Sequence, residues 1–134
     1  MDLKSLDDVE LLTSLVMGEA EGEPFLGKLA VAFTVKNRVE DRRWPDTWKG
    51  VMLQEYQFSC FLPAYFRPEI LDHSWTSPWK ECRFAAFGVY QGYVQDMTKG
   101  ANHYHASYFS DTPPKWANRK KITLFMGNHI FYRL

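Results

Sequence analysis

Apolar residues recur at helical spacing through most of the chain and give way to alternation in its last third. Val9, Leu12 and Val16 are separated by three and four positions, which predicts a first helix running to about 17–20. Ser5-Leu6-Asp7-Asp8 ahead of it has the hydroxyl and carboxylate spacing of a capping box. Pro24 suits the first turn of a second helix over 24–39, with Glu23 as its cap. In that helix Leu26, Ala30, Phe33 and Asn37 track one face, and Gly27, Ala30 and Ala32 are small enough to admit a neighbouring helix. Trp44-Pro45 ends the segment, and 47–53 reads as a short third helix. Between 54 and 78, Pro63, Pro68 and Pro78 interrupt a stretch dense in Tyr56, Phe58, Phe61, Tyr65, Phe66 and Trp75. Such a stretch is expected to form loops and short helices that build a binding rim.

Helical spacing returns over 79–97 through Cys82, Ala85, Ala86, Val89, Tyr90 and Tyr93, with Gly100 closing it. The Phe84, Phe87, Tyr90 stripe is expected in the core. Asn102-His103-Tyr104-His105 and Gly127-Asn128-His129-Ile130-Phe131-Tyr132 suit short strands, and Asp111-Thr112-Pro113-Pro114 marks a turn between them. The fold class expected is therefore α+β, mainly helical, with a small antiparallel sheet or hairpin near the C-terminus. No repeat or linker divides 1–134, so one domain is expected.

Continuing the first stripe places Glu19 on its apolar face at the helix end. It lies in Met17-Gly18-Glu19-Ala20-Glu21-Gly22-Glu23-Pro24, a break that packs three carboxylates into five residues. A carboxylate there is partly desolvated, which disfavours its charged form, and the negative end of the helix dipole acts in the same direction. A Glu kept protonated in this way can act as the acid of a glycosidase. The plainer reading is a half-exposed helix-end residue. Glu21 and Glu23 fall beyond the helix and are expected as solvated loop or cap residues.

The chain is 134 residues long, 46% hydrophobic and 16% aromatic, enough to build a core without disulfide or metal support. Its formal net charge is zero, so no global field draws it to nucleic acid or to a membrane surface. Charge is uneven, however: Lys115, Arg119, Lys120, Lys121 and Arg133 face no acid over 113–134, a solvated face or a contact for an anionic polymer. Cys60 and Cys82 have no metal-ligand spacing and make no disulfide framework. Met1-Asp2-Leu3-Lys4 lacks a basic segment followed by an apolar one, so a protein made in the cytosol, not inserted in a membrane, is expected.

His103 and His105 share a face of a strand, and with His129 they have the chemistry of a zinc site, although the spacing is that of no established motif. The alternative is that they hydrogen-bond within the sheet or line a groove. Gln57, Asn102 and Tyr104 are donors suited to hydroxyl and acetamido groups, and equally to loop backbone. No phosphate-binding glycine loop or nucleophile elbow is present, and neither cysteine opens a helix as an activated nucleophile does.

Gly18-Glu19-Ala20-x-Gly22-Glu23-Pro24-x-x-Gly27-x-x-Ala30-Val31-Ala32, followed by Asn37-Arg38-Val39, resembles the opening signature of the spore-cortex-lytic (SleB-like) cell wall hydrolases. Gln57-Phe58-Ser59, Ala101-Asn102-His103-Tyr104-His105 and Gly127-Asn128-His129-x-Phe131-Tyr132 continue the resemblance in order, from about Val9 to Tyr132. The resemblance implies a lysozyme-like, mainly helical domain acting on peptidoglycan glycan strands; a monomer without cofactor or metal is expected. It implies a lytic transglycosylase that cuts between N-acetylmuramic acid and N-acetylglucosamine. By position, Glu19 is the catalytic acid. Glu23, Gln57, Phe58, Asn102, Tyr104 and His105 are expected to bind substrate, with Asn128 and His129 bracing the floor. A hydrolytic muramidase using Glu23 as second carboxylate is the alternative, and a zinc-dependent wall amidase or peptidase a further one. Glu21 stands where the family often has Arg, which makes the site more acidic. With no wall-binding module or leader visible, the chain resembles a phage endolysin acting at the cell wall after holin-mediated release.

Overall fold

Every side chain from Leu11 to Met17 is buried, so the first helix is a rod at the centre of the molecule with no wet face along that stretch. The computed structural model describes residues 2–55, 57–71, 77–109 and 111–134. Among these, α1 (Asp8–Ala20), α2 (Phe25–Val39), α3 (Trp48–Met52) and α4 (Ser77–Tyr90) precede β1 (His103–Ala106), β2 (Ile122–Met126) and β3 (His129–Tyr132). α1 packs along α4 and α2, and those two also pack on each other. Their meeting faces supply the core: Leu11, Leu12, Leu15 and Val16 from α1, Ala30, Val31, Phe33 and Val35 from α2, and Ala85, Ala86 and Val89 from α4. Thr13, buried with them, returns its hydroxyl to the Val9 carbonyl at 2.7 Å, so its polar group costs the core little. No helix among the described residues is long and apolar enough to cross a membrane.

The sheet is antiparallel with strand order β1-β3-β2. All four residues of β3 are buried, and Phe131 joins the helical core. Register pairs His103 with Tyr132, Tyr104 with Phe131, His105 with Ile130 and Ala106 with His129. Side chains of cross-strand partners share a face, so Tyr104, Phe131 and His129 lie together on one side. His103 and His105 take the other side with Tyr132, packed around Trp116.

Several details differ from the sequence reading. The capping box is formed by Asp7 and Glu10, each accepting the other's backbone N–H, and not by Ser5. Pro24 is the N-cap of α2, which begins at Phe25, and Leu26 points outward. α4 stops at Tyr90: Tyr93 N–H donates to the Gly88 carbonyl and Gly92 N–H to that of Val89, the paired bonds of a Schellman end. Of the stripe expected in the core, Tyr90 packs half-buried against it, whereas Phe84 and Phe87 do not enter it. Phe84 is 73% exposed and Phe87 sits at the surface under Arg83, because the small residues Ala85, Ala86 and Gly88 occupy the side where α1 and α2 come close. Gly127-Asn128 opens no strand but turns the β2–β3 hairpin, and β2 was not foreseen. Of the aromatic-dense stretch, Tyr56 and Trp75 lie outside the described residues.

Gly127 has φ +56°, and a Cβ built on it would meet Glu23 Oε1 at 2.7 Å. Both backbone strain and a clash with a buried carboxylate therefore oppose any side chain here. Gly127→Ala is expected to lower stability by about 1–3 kcal/mol. Urea unfolding checks this, and an unchanged midpoint would contradict the tight hairpin–helix contact.

Candidate active site

α1 ends beside the short 3-10 turn Ser59–Phe61, and the approach is close because residue 18 is glycine. A Cβ there would stand 2.4 Å from Cys60 Cβ. The contact brings Glu19, one residue on, against the start of that turn. Ser59 Oγ donates to Glu19 Oε2 at 3.2 Å and the Cys60 backbone N–H donates to the same oxygen at 3.3 Å. From the sheet, the Tyr104 hydroxyl donates to Glu19 Oε1 at 2.5 Å. Burial of the Tyr104 phenol, and then the Glu19 charge, push its pKa well above the ordinary value, so it stays a donor. The same two causes, in the same order, raise the pKa of the Cys60 thiol, and burial raises that of Cys82 to about 12. Neither buried cysteine is an activated nucleophile.

Glu19 is half-buried and lines a cleft of about 650 Å³ whose wall includes Arg38, Gln57, Phe58, Ser59, His103, Tyr104, His105, Trp116 and His129. A smaller hollow of about 330 Å³ on its other side is shared by Glu19 and His129 and adds Glu21, Glu23 and Arg67. The predicted residues therefore divide into groups. Gln57 is exposed, with its carbonyl oxygen accepting from Arg38 Nη1 at 3.1 Å. Phe58 is buried under the Arg38 guanidinium. His105 lines the wall, but Nδ1 donates to the Ala106 carbonyl at 2.8 Å, which leaves Nε2 to accept from Tyr132 at 2.7 Å; both nitrogens are engaged.

Asn102 is outside the cleft wall. Its amide bonds both the N–H and the carbonyl of Leu134, at 2.9 and 3.1 Å, which fixes which end is oxygen. His103 Nδ1, 2.9 Å from that oxygen, must then be the donor.

Glu23 is the clearest departure from expectation. It is 8% exposed, neither a solvated loop residue nor the cap of α2. Oε1 accepts from the Asn128 N–H at 2.7 Å and Oε2 from its side-chain amide at 3.2 Å, so both oxygens clamp the hairpin turn. His129 Nδ1 lies 3.2 Å from Glu23 Oε1 at an angle that makes no hydrogen bond. Burial lowers the pKa of His129 despite the Glu23 and Glu19 charges, so at neutral pH the contact is not an ion pair. Glu21 remains outside, 3.5 Å from Arg67.

Because His129 sits on the opposite sheet face from His103 and His105, the three do not converge on one point, and no group of three potential ligands occurs among the described residues. Arg38 was not singled out from sequence, although Val31, Val35 and Arg38 form the same pattern as the Glu19 stripe, a buried helical row ended by a charge. Trp116 carried no such signal. The arrangement offers one carboxylate able to give and take a proton beside polar and aromatic walls.

The Cell Wall Hydrolase family model matches residues 22–132, and the chain belongs to that family. Glu19 lies just ahead of the matched span, so its role rests on the geometry above. The catalytic domain of the germination-specific lytic transglycosylase SleB from Bacillus anthracis superposes with a TM-score of 0.75 at 28% identity, covering 96% of each chain. Spore cortex-lytic enzymes of Halalkalibacterium halodurans and Bacillus cereus are each 29% identical, over 93% and 95% of this chain. The chain spans 34% and 44% of the length of those two relatives.

Burial, and then Arg38 and Arg43, lower the pKa of His103 from 6.5 to about 4. The folded state therefore binds fewer protons than the unfolded chain between these values. The stability this contributes is complete above about pH 6.5 and is lost as pH falls towards 4. The melting temperature of the wild type minus that of His103→Gln is expected to fall steadily through that window; parallel curves would contradict a buried neutral imidazole.

Proposed function

We propose that the chain is a peptidoglycan lytic transglycosylase that works with Glu19 alone as acid and then base. The observation that carries this reading is the unequal fate of the neighbouring carboxylates. Glu19 lines the cleft, both oxygens of Glu23 are committed to Asn128, and Glu21 pairs with Arg67 beside the smaller hollow. Schemes with two carboxylates need a second one facing the same bond across a few ångströms. A lytic transglycosylase does not, because its nucleophile belongs to the substrate. The likeness to the SleB catalytic domain, described as that of a lytic transglycosylase, supports the same reaction.

Glu19 gives its proton to the glycosidic oxygen as the bond from C1 of N-acetylmuramic acid breaks. The resulting carboxylate is held by Tyr104, Ser59 and the Cys60 N–H. It then takes the proton of the C6 hydroxyl as that oxygen attacks C1, closing a 1,6-anhydro ring and restoring the acid. Gln57 and the cleft-facing ring of His105 position sugar. Every group that holds Glu19 comes from the same chain, which supports action on the cell wall as a monomer.

Glu19→Gln keeps the shape but cannot cycle a proton, and is expected to lose about two to four orders of magnitude in rate on purified peptidoglycan with its fold intact. Mass spectrometry of wild-type digests should find anhydromuramic ends; reducing ends one water heavier would make the enzyme a hydrolytic muramidase instead. Tyr104→Phe removes one charge-assisted hydrogen bond from Glu19, worth about 1.5–3 kcal/mol, so kcat should fall roughly ten- to hundredfold. An unchanged kcat would leave Tyr104 with a packing role only.

A further inference from the structure

Arg38 is a buried cation without an acid partner among the described residues. Its residue is 5% exposed, Nε donates to the Asn102 carbonyl at 2.7 Å and Nη1 to Gln57 Oε1 at 3.1 Å, and both partners are neutral. The rings of Trp44 and Phe58 lie 5.3 Å from the guanidinium carbon. No carboxylate pairs with it among the described residues, although four charged side chains nearer the surface (Asp41, Arg43, Glu21 and Arg67) have partners. A guanidinium in such a place is costly unless an anion meets it, and its planar fork fits a carboxylate. Arg38 is nevertheless part of the cleft wall, beside Gln57 and Tyr104.

We infer that Arg38 is a receptor for a carboxylate carried by the glycan, placed in the same cleft as Glu19. This rests on the reading of the chain as a peptidoglycan glycosidase. N-acetylmuramic acid differs from N-acetylglucosamine by a lactyl ether that ends in a carboxyl group. That group is a free carboxylate where the stem peptide is absent and an amide where it is present. The stem peptide itself bears further carboxylates. The receptor therefore distinguishes muramyl from glucosaminyl residues by charge, which neither the aromatic walls nor Gln57 can do.

The test uses the full chain and three glycans of matched length. One is stripped of stem peptides so that lactyl carboxylates are free; the second is the same glycan with those carboxylates capped as methylamides; the third retains its peptides. The expected result is a kcat/KM about tenfold higher for a carboxylate-bearing glycan than for the capped one, the scale of one charge-assisted contact, expressed in KM and shrinking with added salt. Preference for the stripped glycan assigns the lactyl group, and preference for the peptide-bearing glycan alone assigns the stem. Arg38→Met should bring the ratio to about one and Arg38→Lys should restore part of it. If Arg38→Met does not fold, the wild-type comparison still decides. Equal cleavage of all three glycans overturns the receptor and leaves the glycosidase reading standing; cleavage of none overturns both.

Discussion

The Glu23 carboxylate, bound through both oxygens to Asn128, is the constraint on which the site depends. It ties the turn after α1 to the turn of the β2–β3 hairpin, over a sequence separation that nothing local bridges. β3 is the central strand, so fixing its hairpin also fixes β1 and the Tyr104 it carries. Lys28 reinforces the joint from α2: its buried ammonium donates to the Glu23 carbonyl at 2.5 Å and reaches Glu81 of α4 at 3.4 Å. A buried carboxylate that lost these donors would bear its full desolvation cost, which is why the turn and hairpin hold together. One short turn thus carries two acids with opposite duties. Glu23 is immobilised so that Glu19, four residues earlier, can meet the sheet.

Burial sorts the remaining polar groups around Glu19 into donors and bystanders. Tyr104 and Cys60 are both pushed towards their neutral forms, so the phenol donates and the thiol does not compete as an anion. His103 and His105 spend their rings on Asn102, Ala106 and Tyr132, which stiffens the edge strand facing the cleft. Arg38 places a positive charge near Tyr104, and each group's charge favours the charged form of the other. The cleft therefore sets Glu19 in a rigid polar frame.

Glu19 was legible in the sequence because its signal is local: an apolar row at helical spacing that ends in a charge. Tyr104 and Gln57 were legible only as residue types, and what each touches emerged from the fold. Glu23 was misread for a physical reason. Its position after a helix and before Pro24 predicts solvent, and its burial comes entirely from the hairpin around residue 128. The outward rings of α4 were misread because apolar spacing alone does not say which of two rows is used; the row with alanines admits neighbouring helices and wins. β2 escaped because its residues are half-buried or exposed, so they show no strong alternation. Three histidines within two strand motifs looked combinable until register set one of them on the opposite face.

The two oxygens of Glu19 are not equivalent, and this bears on how one acid can serve twice. Oε2 faces the Cys60 N–H, a donor that cannot rotate away or become an acceptor. Oε1 faces the Tyr104 hydroxyl, which can turn to donate or to accept, and Ser59 has the same freedom at Oε2. A fixed donor beside Oε2 favours placing the proton of the neutral acid on Oε1. Loss of that proton needs only the hydroxyls to reorient, with no heavy atom displaced. In the proposed cycle the anion formed by the first proton transfer is thus met by the fixed Cys60 N–H and by two hydroxyls that only rotate, and the second transfer restores the starting arrangement.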